Sequence, residues 1–74
     1  PQLCIEFGVP ETGWVMMEIL DQSGRSLETI SNSICDPGYH MAAWNTEKYP
    51  SGRYQYSMRF KDYYEVRDVA LNKG

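Results

Sequence analysis

The segment from Trp44 to Tyr54, Trp-Asn-Thr-Glu-Lys-Tyr-Pro-Ser-Gly-Arg-Tyr, constrains what this chain can fold into more than any other stretch. Proline presets its own φ and glycine takes positive φ at little steric cost, so Pro50-Ser51-Gly52 is a turn that aims the residues after it. A large apolar ring, Trp44, stands at the end of one extended segment, and Tyr54 opens the next. A tyrosine so placed can send its hydroxyl back to upstream backbone and close a corner of a β fold, while the tryptophan fills the core.

Period-two alternation runs through the rest of the chain, and no window carries the helical i, i+3, i+4, i+7 stripe. Six strands are expected. Leu3 to Val9 sets Ile5, Phe7 and Val9 against Cys4, Glu6 and Gly8, and Pro10 ends its ladder. Trp14 to Leu20 places Val15, Met17 and Ile19 on one face, with Asp21-Gln22-Ser23-Gly24 as the turn that follows. In Arg25 to Ser31 the spacing of Leu27 and Ile30 breaks strict alternation and predicts a bulge or a short irregular strand, and Ser31-Asn32-Ser33 reads as loop. Tyr39 to Asn45 collects His40, Ala42 and Trp44, and Arg53 to Phe60 collects Tyr54, Tyr56, Met58 and Phe60. The two polar residues Lys61-Asp62 then form a tight hairpin into Tyr63 to Asn72. Strands separated by turn signals about every 8–12 residues predict an all-β chain, an immunoglobulin-like antiparallel β-sandwich of six or seven strands. Its core would hold Phe7, Trp44, Tyr54 and Tyr56.

Seventy-four residues make one domain, residues 1–74, and a chain this short buries only about 60% of the surface its unfolded form exposes. It has little room for an enclosed active site. Ten acidic against seven basic residues give a net charge of −3 with no basic stripe to neutralise phosphates, which argues against nucleic-acid binding and against an anionic membrane surface. No apolar run reaches the roughly 20 residues that span a bilayer, and the start has no signal-peptide pattern. Opening on Pro1, the chain reads as a processed product or a piece of something longer. Cys4 and Cys35 leave two readings open, one disulfide in an oxidising compartment or two separate half-buried thiols. With Ile5, Phe7 and Val9 inward, alternation turns Cys4 outward, which favours the separate thiols.

Side chains able to do chemistry are few. The single histidine, His40, shares a face with Ala42 and Trp44, and such a residue is more often packed and hydrogen-bonded than a base or ligand. Glu6, Glu18, Glu65 and Asp68 are scattered over polar positions as solvated charges, and Asp21 or Asp36 alone in a turn does not make a calcium loop. Neither a catalytic residue, a metal site nor a cofactor is expected. Trp14, Tyr39, Tyr49 and one of Tyr63 or Tyr64 fall at positions alternation predicts to be exposed. They read either as an interaction surface or as an outer face half covered by long neighbours such as Met16, Met41 and Arg59.

In order along the chain stand Ile5-Glu6-Phe7, Pro10-Glu11-Thr12-Gly13-Trp14-Val15, Asp21-Gln22-Ser23-Gly24-Arg25, Gly38 with His40, Trp44-Asn45, Pro50-Ser51-Gly52 with Tyr54 and Tyr56, and Arg67 to Lys73 with Leu71. This series resembles the C-terminal sorting domains of type IX secretion cargo, which are similar to the immunoglobulin-like domain of flagellar hook-capping proteins. It departs from their pattern at Gln22, Ser23, Arg53, Asp68 and Gly74. The resemblance implies a non-catalytic module at the end of a larger exported bacterial protein, secreted or held at the cell surface. It implies protein partners, a translocon or its shuttle, while the charge and the lack of a long apolar run argue against nucleic acid and membrane insertion. Recognition would rest on the final strand, Val69, Ala70, Leu71 and Lys73, because an extended terminal segment can add to a partner's sheet. A structural or adhesive subunit that pairs with copies of itself through strand edges and exposed aromatics is the competing reading.

Overall fold

A computed structural model describes residues 1–73. The strands are β1 (Gln2–Val9), β2 (Gly13–Leu20), β3 (Ser26–Cys35), β4 (Gly38–Asn45), β5 (Gly52–Phe60) and β6 (Tyr63–Leu71). All pairings are antiparallel, and they build a four-stranded sheet in the order β3-β2-β5-β6 and a two-stranded sheet of β1 and β4. The chain is the antiparallel β-sandwich that alternation predicts, with six strands among the described residues. Five of them begin and end within a residue of expectation.

The exception is β3. Ser31, Asn32 and Ser33 do not form a loop but pair with Met17, Met16 and Val15 of β2. An edge strand with one solvated face tolerates polar side chains, and Asn32 accepts a hydrogen bond from Trp14 Nε1 at 2.7 Å across the pair. The irregularity predicted at Leu27 and Ile30 is present at both. Thr29 opposite Glu18 and Ser31 opposite Met17 leave Ile30 without a partner in the ladder, and Ser26 opposite Leu20 and Glu28 opposite Ile19 leave out Leu27. Each is the extra residue of a bulge.

Inward-facing side chains of both sheets make one core. Ile5, Phe7 and Val9 of β1 and Ala42 and Trp44 of β4 meet Val15, Met17 and Ile19 of β2 and Tyr54 and Phe60 of β5. Trp44, Met17, Ile19 and Val15 are the largest fully buried side chains. At one end the Trp44 ring meets Tyr54 edge-on at 5.3 Å and Tyr49 at 5.4 Å, the geometries aromatic quadrupoles favour. Tyr54 donates its hydroxyl to the Pro50 carbonyl at 2.6 Å, so the corner predicted from the sequence is formed. Gly52 holds φ at 155° in that turn, as Gly24 holds 91° in the β2–β3 turn.

Tyr49 is not an outward residue. It is half buried beside Trp44 and Tyr54, and its hydroxyl donates to Glu28 Oε1 at 2.8 Å. It lies in the loop between β4 and β5, where alternation along a strand has no authority over direction. Burial first, and then the Glu28 carboxylate, raise its hydroxyl pKa above the usual value. His40 stacks on Phe7 at 5.5 Å, and its Nε2 lies 2.7 Å from the Asp36 carbonyl, the packed and hydrogen-bonded arrangement expected of it.

Candidate functional site

The two sheets differ in width, and that difference creates a surface feature that the alternation of single strands does not reveal. β4 lies against β3 at one side of the sandwich. β1, its only partner, reaches toward β5 and β6 at the other, and among the described residues no strand pairs with the second edge of β1. Two strands cannot cover four. The inner face of the first half of β6 is therefore left open, and a cavity of about 610 Å³ lies between the β1 edge and Tyr63, Glu65 and Arg67 of β6.

Its floor is apolar, formed by Phe7, Tyr56, Met58 and Phe60. Its rim is charged. Glu6 and Glu11 stand on the β1 side, and Asp62, Glu65, Lys61 and Arg67 stand on the hairpin and β6 side. Lys61 reaches Glu11 at 2.9 Å and Arg67 pairs with Glu65, while no ion pair among the described residues engages Glu6 or Asp62. The balance of the rim is acidic. Tyr56, expected as core, is half buried and belongs to this floor while packing on the core beside it.

A second opening on the same side lies lower, where Pro1 to Leu3 face Ala70 to Lys73. Here the expected recognition strand is found, and its four named residues divide. Leu71 is buried in the core and Val69 packs against it, so both are structural. Ala70 is exposed. Lys73 is exposed but tethered, with its N–H donated to Ser51 Oγ at 2.9 Å and its Nζ to the Glu47 carbonyl at 2.8 Å. The strand lies at the edge of the four-stranded sheet, with only β5 beside it among the described residues.

Cys4 and Cys35 are free thiols that the fold does not bring together. Cys4 is exposed on the outward face of β1, and Cys35 is buried at the end of β3, where it lies 3.9 Å from the Ser33 carbonyl. Asp21 is the carboxylate whose acidity changes most. The Ser23 hydroxyl at 2.7 Å, the Arg25 N–H at 2.9 Å, the Arg25 guanidinium at 3.2 Å and the Ser23 N–H at 2.9 Å all donate to it, lowering its pKa from 3.8 to about 2. Every donor belongs to the same turn, so the carboxylate organises a hairpin rather than chemistry. Among the described residues, no three His, Cys, Asp or Glu side chains converge as a metal site requires, and no helix is long and apolar enough to cross a membrane.

Trp14 (54% exposed) and Tyr39 (82%) face solvent as predicted, and of Tyr63 and Tyr64, one of them expected outward, both are exposed (50% and 52%), Tyr63 at the wall of the cavity. They do not make one patch. Tyr39 lies on the outer face of the small sheet across from Gly8, while Trp14 and Tyr64 lie on the outer face of the large one, where Arg59 stacks over Tyr64 at 4.6 Å. The sequence signal for the cavity was Glu65 and Arg67. They share the inward parity of Val69 and Leu71, and charged residues at inward positions mark a face that nothing covers.

No family model, no curated protein and no solved structure matches this chain.

Proposed function

We propose that the chain is a non-catalytic module that directs secretion and cell-surface attachment of a larger exported bacterial protein, through recognition by protein partners of the export apparatus. The observation that carries this reading is the ordered motif series from Ile5-Glu6-Phe7 to Leu71-Asn72-Lys73. Support comes from what the motif residues do in the fold: Trp44 fills the core, Tyr54 closes the corner, and Gly24 and Gly52 hold positive φ in turns. The last strand is a sheet edge, the kind of element a partner extends by main-chain hydrogen bonding.

Because Leu71 and Val69 hold the core, deleting the last strand would unfold the module along with any signal. The test therefore keeps them. Residues 1–74 are fused to a reporter in a bacterium with type IX secretion, and export is compared with that of an Ala70→Glu/Lys73→Glu variant checked for fold by circular dichroism. The reading expects export of the parent and its loss in the folded variant. A parent fusion retained inside the cell overturns the secretion role, and a variant exported like the parent removes β6 as the recognised segment.

The exposure of Tyr39, Met41 (66%) and Ile34 (65%) favours a second reading, a structural or adhesive subunit assembled from copies of this chain. Sedimentation at rising concentration separates the two. A monomer throughout argues against the subunit.

A further inference from the structure

We infer that the open side of the sandwich between β1 and β6 is an acceptor site for one extended segment of a partner protein, alternating apolar and basic side chains. The segment adds to the free edge of β1 as the missing third strand of the small sheet. This goes beyond the secretion reading, which concerns β6, and does not depend on it.

Three observations meet at this place. The free edge of β1 carries a row of backbone groups with no strand beside it among the described residues, and an unpaired edge is a template for main-chain pairing. A strand laid along that edge comes to lie over the first half of β6, Tyr63 to Arg67, which has no strand opposite it among the described residues. Its inward side chains then enter the cavity of about 610 Å³ and meet the apolar floor of Tyr56, Met58 and Phe60. Between Glu6 and Pro10 there is length for about five residues of extended chain, roughly 15 Å.

Charge selects the occupant. The rim holds four carboxylates against two cations, both of which are already paired, so Glu6 and Asp62 remain to attract a cation. Alternation separates the two demands on a strand, with apolar side chains turned in and basic ones turned out beside Glu6. A second copy of this chain fits poorly. Its net charge is −3, and antiparallel pairing of β1 with another β1 about its middle would set the Glu6 carboxylates of the two copies close together. Cross-strand like charges oppose such pairing, whereas a basic partner strand gains from the same carboxylates.

The experiment uses the 74-residue chain and three synthetic octapeptides: alternating Lys-Val, alternating Glu-Val, and a block peptide of four Lys followed by four Val. Binding is followed by titration, and the bound site by amide hydrogen exchange. The expected result is saturable binding of the Lys-Val peptide, at least tenfold tighter than either control, with alternate amides of residues 4–9 exchanging more slowly. A Glu6→Lys/Asp62→Lys variant, both positions being exposed, should keep its fold and lose the preference for Lys-Val over Glu-Val. Equal binding of the block peptide, unchanged exchange along β1, or protection of β1 by self-association of the chain alone would each overturn the proposal. None of these outcomes bears on export of the reporter fusion, so the two readings fail separately.

Discussion

The two ends of the β5 strand sit in opposite surroundings. Tyr54, at its start, is enclosed by Trp44 and Tyr49 and bonded to the Pro50 carbonyl, whereas Tyr56 and Met58, further along, form the floor of an open cavity rimmed by Glu65 and Arg67. One strand thus serves a closed corner and an open side. What separates them is coverage: β4 and the β4–β5 loop lie over the first, and no strand among the described residues lies over the first half of β6, Tyr63 to Arg67. The sandwich concentrates its stability where both sheets are present and leaves a low-cost surface where one is missing.

The largest test of that contrast is Trp44→Ala. Truncating a fully buried tryptophan costs about 3–5 kcal/mol, against a total of about 4–11 kcal/mol for a chain of this length. Urea unfolding followed by circular dichroism should find the variant's stability lowered by that cost, the largest loss in the series. Trp44→Phe should recover much of the loss, because the buried Nε1 has no hydrogen-bond partner in the parent. A smaller effect is expected from Tyr54→Phe, which keeps the ring and removes the hydroxyl bond to Pro50, at about 1 kcal/mol in the same measurement.

On the open side the expected change is smaller still. Arg67 is mostly exposed and its partner Glu65 partly so, and such pairs are worth about 0–1 kcal/mol, so Arg67→Ala should shift the urea midpoint less than Tyr54→Phe does. The reverse order would mean that the open side contributes to the core and would erase the contrast. The smallest effect is electrostatic. The folded-state pKa of Asp21 lies below its ordinary 3.8, so its contribution is present above that value and is lost as pH falls toward about 2. Thermal unfolding of the parent and of Asp21→Asn should therefore converge between pH 4 and pH 2, with the parent the more stable at neutral pH. Curves that stay parallel through that range would remove Asp21 as a turn anchor.

Much of the closed region was legible in the sequence, because local rules decide it. Alternation fixes which side chains of a strand turn inward, Pro50-Ser51-Gly52 fixes a turn, and Tyr54 and Trp44 have few places to go in a small β domain. Where rules along a strand lose authority, reading fails. Tyr49 lies in a loop, and Ser31-Asn32-Ser33 uses loop-type residues in an edge strand whose partner, β2, supplies the hydrogen bonds. The open side was hidden for another reason. A cavity made by unequal sheets depends on which strands pair, and strand order is not written in the alternation of any single strand. Glu65 carried a trace of it, yet its sequence context is that of an ordinary solvated charge, and only the position of β6 at an edge gives its inward parity a meaning. The secretion reading rests on the motif series and the peptide-acceptor reading on the geometry, so they answer to different experiments.

The paired bulges at Leu27 and Ile30 limit how this molecule can grow. They break the ladder of β3 at two points, and a bulged edge resists the continuous pairing that a neighbour would need. The four-stranded sheet thus has one obstructed end and one receptive end, β6. Two copies joined at β6 would use up the receptive ends of both four-stranded sheets, so extension through that sheet stops at a closed pair. An irregularity in spacing, visible as two misplaced apolar residues, acts as a terminator for sheet extension.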